Sequence, residues 1–82
     1  MFHYVYMLIS LNTKKHISYV GYSSNPKKRL IKHNKGKGAK FTRGRTWKLI
    51  YKEILKSKSK AISREYYIKN NKSLRKKIKE TS

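Results

Sequence analysis

At 82 residues the chain supports one domain with a modest core, because a chain of this size buries only somewhat more than ~60% of its unfolded surface. The absence of cysteine excludes disulfides and thiolate zinc centres, and the three acids, Glu53, Glu65 and Glu80, exclude a two-metal site clamped by several carboxylates. Against them stand 23 Lys and Arg, a net charge of +20, which a compact domain tolerates best beside an anionic partner. Nucleic acid is the expected partner, DNA before RNA, ahead of an anionic membrane or a ribosomal surface.

In chain order, Tyr4 to Ile9 is β-branched and aromatic without interruption and predicts a strand. Asn12-Thr13-Lys14-Lys15 reads as a turn, and Ile17 to Tyr22 as a second strand, antiparallel to the first. Asn25-Pro26 is a helix start, an amide cap followed by proline at the first helical position. That helix is predicted from Pro26 to about Lys35, with Gly36 ending it and residues 36–40 forming a flexible basic loop. Trp47 to Leu55 predicts a third strand. Ser57 or Ser59 can cap a second helix reaching about Asn70, and after the Asn70-Asn71 break Ser73 can start a short basic helix. The order β-β-α-β-α-α implies an α/β (α+β) fold, a small three-stranded antiparallel sheet flanked by helices. One domain is expected over residues 1–82, with its core at about 4–70 and a basic helix over 71–82.

Met1 to Ile9 has no basic lead-in or small-residue cleavage site, and no stretch approaches the ~20 apolar residues of a membrane span. A cytoplasmic protein without a membrane partner is expected, with a monomer as the default state.

A phosphodiester-cutting chemistry is confined by composition to at most one carboxylate-held metal plus tyrosine, histidine, arginine or lysine. Strand alternation puts Tyr4 and Tyr6 on one face of the first strand, and Tyr19 and Gly21 on one face of the second. Arg29 and His33 share a helix face four residues apart, and the planar Arg29 fork suits phosphate oxygens. Glu65 follows Ala61 and Ile62 and precedes Ile68 at helical spacing, on the apolar face. There it is either a structural ion pair or a cation ligand. Tyr51, Tyr66 and Tyr67 are read as packing residues, and Tyr4 as packing or as a nucleic-acid contact. His3 and His16 are read as surface residues. Glu53 alternates with Trp47, Leu49 and Tyr51 and is read as a half-buried ion-pair partner. Lys35, Lys37, Lys40, Thr42, Arg43 and Arg45, with Lys72, Arg75 and Lys76 on the last helix, are the expected contacts to a phosphate backbone.

Tyr4-Val5-Tyr6 followed by Tyr19-Val20-Gly21 resembles the paired strand motifs that name the GIY-YIG nucleases. Arg29 and His33 fall ten and fourteen residues after Tyr19, similar to that family's spacing, and Glu65 matches its metal-binding glutamate. Gly38-Ala39-Lys40-Phe41-Thr42-Arg43 before a Trp-Lys-Leu-Ile-Tyr strand looks most like the small stand-alone bacterial members. Tyr4 stands where the name-giving glycine is, and Tyr22 where several members carry a lysine, so one auxiliary cation is either missing or supplied by Lys40. Asn70 and Asn71 come too soon after Glu65 for the asparagine many members carry. The resemblance implies an endonuclease without strong sequence specificity, with one Mg or Mn ion as cofactor. In it Tyr6 is general base or nucleophile, and Tyr19 binds phosphate or shares the base role. Arg29 neutralises charge on the phosphoryl group, His33 orients a tyrosine or serves the leaving group, and Glu65 holds the ion. Dense positive charge is expected to lower the Tyr6 pKa. The alternatives are a binding module that keeps the fold without cutting, or an accessory protein that binds structured RNA or the ribosome.

Overall fold

Strand β1 (His3–Ser10) is the middle of the sheet, with β2 (Ser18–Ser23) on one side and β3 (Trp47–Leu55) on the other, both antiparallel to it. Its central position follows from its composition. Val5, Tyr6, Met7 and Leu8 are all fully buried, which requires cover on both faces. The computed structural model describes residues 2–12 and 17–81. The predicted turn residues Thr13, Lys14 and Lys15 and the predicted surface residue His16 lie outside them. Ser10 N–H donates to Ile17 O at 2.9 Å and ties the end of β1 to the residue before β2.

Three helices complete the expected order: α1 (Pro26–Asn34), α2 (Lys58–Lys69) and α3 (Lys72–Thr81). The Asn25 side chain accepts from Lys28 N–H at 3.1 Å with Pro26 as the first helical residue. Gly36, at φ 74°, ends α1. Lys37 N–H then reaches back to Lys32 O at 2.9 Å and Gly36 N–H to His33 O at 3.1 Å, the paired bonds of a Schellman turn. Ser57, not Ser59, caps α2. Helix α3 begins before Ser73, because Asn71 Oδ1 accepts from Leu74 N–H at 3.0 Å and asparagine is a strong N-cap.

The two sheet faces carry separate apolar clusters. Val5, Met7 and Val20 pack with Ala61, Ile68 and Ile78 under α2 and α3. Tyr6, Leu8 and Trp47 pack with Leu30 and Tyr19 on the α1 side. Strand β3 serves both because of a bulge: Met7 pairs with Tyr51 and Leu8 with Leu49, which leaves Ile50 over. One extra residue inverts the alternation. Trp47 and Leu49 therefore face α1, whereas Tyr51 and Leu55 pack on the other side. This corrects the expectation that Trp47, Leu49, Tyr51 and Glu53 share one face. Glu53 is half-buried as expected, accepting from Tyr51 Oη at 2.7 Å and Arg64 Nε at 2.9 Å. Tyr66 and Tyr67, expected to pack, are exposed, because Ala61 and Ile68 alone cover the sheet from α2.

Candidate active site

Tyr6, Tyr19, Gly21, Tyr22, Ser23, Arg29 and Glu65 line a cleft of about 340 Å³ at the outer edge of β2. Four of the five residues expected to carry catalysis or metal thus meet in one cavity, and His33 stands directly behind them. The topology explains the meeting. Tyr6 and Gly21 are register partners on β1 and β2, and Tyr19 lies two residues before Gly21 on the same face. Arg29 and His33 come in from α1 above that face, and Glu65 reaches the cleft from α2 on the other side.

Tyr6 is fully buried, and its hydroxyl lies 3.0 Å from His33 Nε2. His33 Nδ1 lies 2.8 Å from Thr42 Oγ1, and the Thr42 hydroxyl donates to Ala39 O at 2.8 Å. Tyr19 is half-buried and packs its ring 4.9 Å from the His33 ring and 6.4 Å from that of Tyr6. Burial raises the Tyr6 pKa above the ordinary phenol value, and the neighbouring Arg29 guanidinium only partly offsets it. The expectation of a lowered value is overturned, because desolvating a phenolate costs more than the nearby cation returns. His33 is pushed down, first by burial and then by the Arg29 charge, so it is neutral at pH 7.

Arg29 Nε is buried without a hydrogen-bond partner among the described residues. A buried donor without a partner is costly, and the same guanidinium lies beside the Tyr6 hydroxyl on the cleft wall, a fork suited to an anion. Glu65 shares its helix face with buried Ala61 and Ile68, but Ile62 is exposed, so that face is narrower than its spacing predicts. The Glu65 side chain is 19% exposed and pairs with Lys69, 3.5 Å away and largely in solvent. Among the described residues no three His, Cys, Asp or Glu side chains converge. Glu65 is the one carboxylate in the cleft lining, so a divalent ion there would take a single carboxylate ligand, which fits a cation that keeps water and substrate oxygens, as magnesium does.

The expected backbone contacts separate into two groups. Lys35, Lys37, Lys40, Arg43, Lys72 and Lys76 are exposed. Thr42 is fully buried and Trp47 Nε1 donates to its carbonyl at 2.9 Å, so its side chain is withdrawn from any bound polymer. Arg75 is half-buried and its Nη1 donates to Ile68 O at 3.1 Å and to Lys69 O, at the end of α2. Arg45 lies over the Phe41 ring and Lys52 over the Tyr4 ring. The loop after α1, expected to be flexible, is tied down by Thr42. It holds a 3-10 turn (Lys40–Thr42) that sets Phe41, 55% exposed, against Tyr19 at 6.4 Å. The roles of Thr42 and Phe41 have no sequence signature beyond the basic loop that contains them. A second groove, lined by Ser18, Tyr19, Phe41, Lys69 and Arg75, shares Tyr19 with the cleft, and a third, beside Lys72, Lys76 and Lys79, shares Ser18 and Arg75 with the second. Burial and the charges of Arg75 and Lys72 hold the Lys79 pKa below that of an ordinary lysine, a crowding that an anion would relieve.

No helix among the described residues is long and apolar enough to cross a membrane. The chain is 44% identical over 68 residues to a UPF0213 protein of Staphylococcus saprophyticus, covering 82% of this chain and 79% of that one. It is 49% identical over 67 residues to a UPF0213 protein of Clostridium perfringens, covering 80% and 69%. A solution NMR structure of a UPF0213 protein from Bacillus halodurans superposes with a TM-score of 0.53 at 38% identity, covering 94% of this chain and 80% of that one. The family model described as the GIY-YIG catalytic domain matches residues 2–79. With Tyr6, Tyr19, Arg29 and Glu65 gathered around one cleft and nearly the whole chain matched, this protein belongs to the GIY-YIG family.

Proposed function

We propose that this protein is a metal-dependent endonuclease that hydrolyses phosphodiester bonds in nucleic acid, DNA in the first place, without strong sequence specificity. The observation that carries this reading is the buried, unpartnered Arg29 Nε in a cleft it shares with Tyr6, Tyr19 and Glu65. The Arg29 guanidinium also stands beside the Tyr6 hydroxyl, where a phosphate entering the cleft would meet both groups.

Tyr6 serves as general base. Its raised pKa means that no phenolate waits in the resting site, so its proton must leave as the attack occurs. Neutral His33 stands 3.0 Å away to take it. A water attacking phosphorus loses its proton to the Tyr6 oxygen while the Tyr6 proton moves to His33 Nε2. The water oxygen–phosphorus bond forms and the bond to the leaving oxygen breaks. Arg29 donates to the non-bridging oxygens as charge gathers there, and Tyr19 holds the phosphate against the cleft wall. Glu65 would hold the Mg or Mn ion, which when bound supplies positive charge to the phosphoryl group. The exposed lysines and Arg43 hold the backbone on either side.

The test is a nicking assay on labelled single-stranded, duplex and branched DNA and on RNA, with and without manganese, beside the Tyr6→Phe protein. Metal-dependent cleavage lost in that variant is expected. Tight binding with no cleavage by the unmodified protein under any condition would instead make the chain a binding module.

A further inference from the structure

The segment that follows α1 folds back over His33, and the contacts there decide which imidazole nitrogen carries hydrogen. Nδ1 lies 2.8 Å from Thr42 Oγ1, which itself lies 2.8 Å from Ala39 O, while Nε2 lies 3.0 Å from the Tyr6 hydroxyl. Thr42, His33 and Tyr6 are all fully buried, so bulk water does not compete for these bonds. The loop also lies hard against the ring. A Cβ on Gly38 would stand 2.2 Å from His33 Nδ1.

A carbonyl oxygen has no hydrogen, and two oxygens 2.8 Å apart with no proton between them repel, so the single hydroxyl proton of Thr42 points at Ala39 O. Only lone pairs of Oγ1 then face His33, and Nδ1 must supply the hydrogen for that bond. A neutral imidazole has one N–H, which leaves Nε2 bare to accept from the Tyr6 hydroxyl. We propose that Thr42 is a positioning residue: through the Ala39 carbonyl it locks His33 in the Nδ1–H tautomer and so makes Nε2 the acceptor of the Tyr6 proton. The opposite tautomer would turn an N–H towards Tyr6 and set two lone pairs against each other at Thr42.

The consequence for catalysis rests on the nuclease reading given above. In the attack, Nε2 takes the Tyr6 proton, and the imidazolium keeps both N–H groups bonded, one to the Tyr6 oxygen and one to Thr42 Oγ1. The leaving oxygen then takes up the water-derived proton and the His33 proton returns to Tyr6, which restores the resting site. Triads usually assign the orienting task to a carboxylate. This chain has no aspartate, Glu65 lines the far side of the cleft and Glu53 is engaged by Tyr51 and Arg64, so a hydroxyl backed by a carbonyl takes that place.

The experiment is 15N NMR of histidine-labelled full-length protein at pH 8, combined with steady-state cleavage by Thr42 variants. In the unmodified protein His33 should show a protonated Nδ1 and an unprotonated Nε2; the reverse pattern overturns the proposal. Thr42→Val keeps the shape but removes the acceptor. It should lose the tautomer preference and lower kcat by about 10²-fold or more, with KM within about threefold, since general-base catalysis contributes ~10²–10⁴. Thr42→Ser should restore both tautomer and kcat. A folded Thr42→Val protein with an unchanged kcat or an unchanged tautomer overturns the proposal. If Thr42→Val does not fold, the spectra of the unmodified and Thr42→Ser proteins decide it. The spectra also stand apart from the nuclease reading: a fixed Nδ1–H tautomer in a protein that cuts nothing supports the lock and rejects the nuclease.

Discussion

A side chain on Gly21 would put its Cβ 2.6 Å from the Tyr6 hydroxyl oxygen, so the phenol of β1 lies in space that only the missing side chain of β2 leaves open. Gly21→Ala must therefore move the Tyr6 hydroxyl or part the strands. Misplacement of a reacting group by ~1 Å costs ~10² in rate. The expected outcome is a folded protein with kcat lowered by about 10²-fold and DNA affinity little changed, read by steady-state nicking and by titration binding.

Tyr6→Phe should abolish cleavage and also show a cost in stability. It removes the hydroxyl and leaves buried His33 Nε2 without a donor, a loss of roughly 1–3 kcal/mol. Urea unfolding should report that decrease, while binding to uncleaved DNA stays close to that of the unmodified chain.

Arg29→Ala should lower kcat by ~10²–10³, the usual loss for one transition-state donor, and weaken binding far less, because many other cations hold the backbone. Arg29→Lys should not restore the rate. A lysine ammonium keeps the charge but lacks Nε and the planar fork. Equal losses in affinity and rate would reduce Arg29 to an ordinary backbone contact.

Glu65→Gln separates the two roles that its position allows. A buried structural ion pair would cost ~3–5 kcal/mol on breaking. Here the partner, Lys69, is 56% exposed and one helical turn away, a geometry worth only about 0.3–0.5 kcal/mol. The variant should therefore melt within a few degrees of the unmodified protein, bind DNA at least as tightly, and fail to cut. A folded variant that still cuts removes Glu65 from the metal site.

The buried imidazole also makes stability depend on pH. The His33 pKa is lower folded than unfolded, so between those two values the unfolded chain binds the extra proton. Its contribution is complete above about 6.5 and is lost as pH falls through the lowered folded value. Urea midpoints measured from pH 8 down to pH 5 should fall over this window. His33→Gln, less stable throughout, should show a flatter profile there.

Much of this protein is written in local patterns. The uninterrupted apolar run of β1, the Asn25-Pro26 cap, Gly36 after α1 and the Asn70-Asn71 break depend on backbone preferences within a few residues, and the element order followed from them. Tyr6, Tyr19, Arg29 and Glu65 stood out because alternation along a strand, and turns of a helix, set which residues share a face. The rest depended on contacts between elements far apart in the chain. The bulge at Ile50 reverses the facing of half of β3, a shift invisible to alternation because the extra residue shows only against β1. The rise in the Tyr6 pKa came from burial between the sheet and α1, which outweighs the positive charge that composition alone suggests. Thr42 reads from the sequence as one more phosphate-backbone contact in a basic loop. Its hydrogen bond to His33 exists because the turn after α1 sends the chain back over the imidazole, and only the folded chain brings the two residues together.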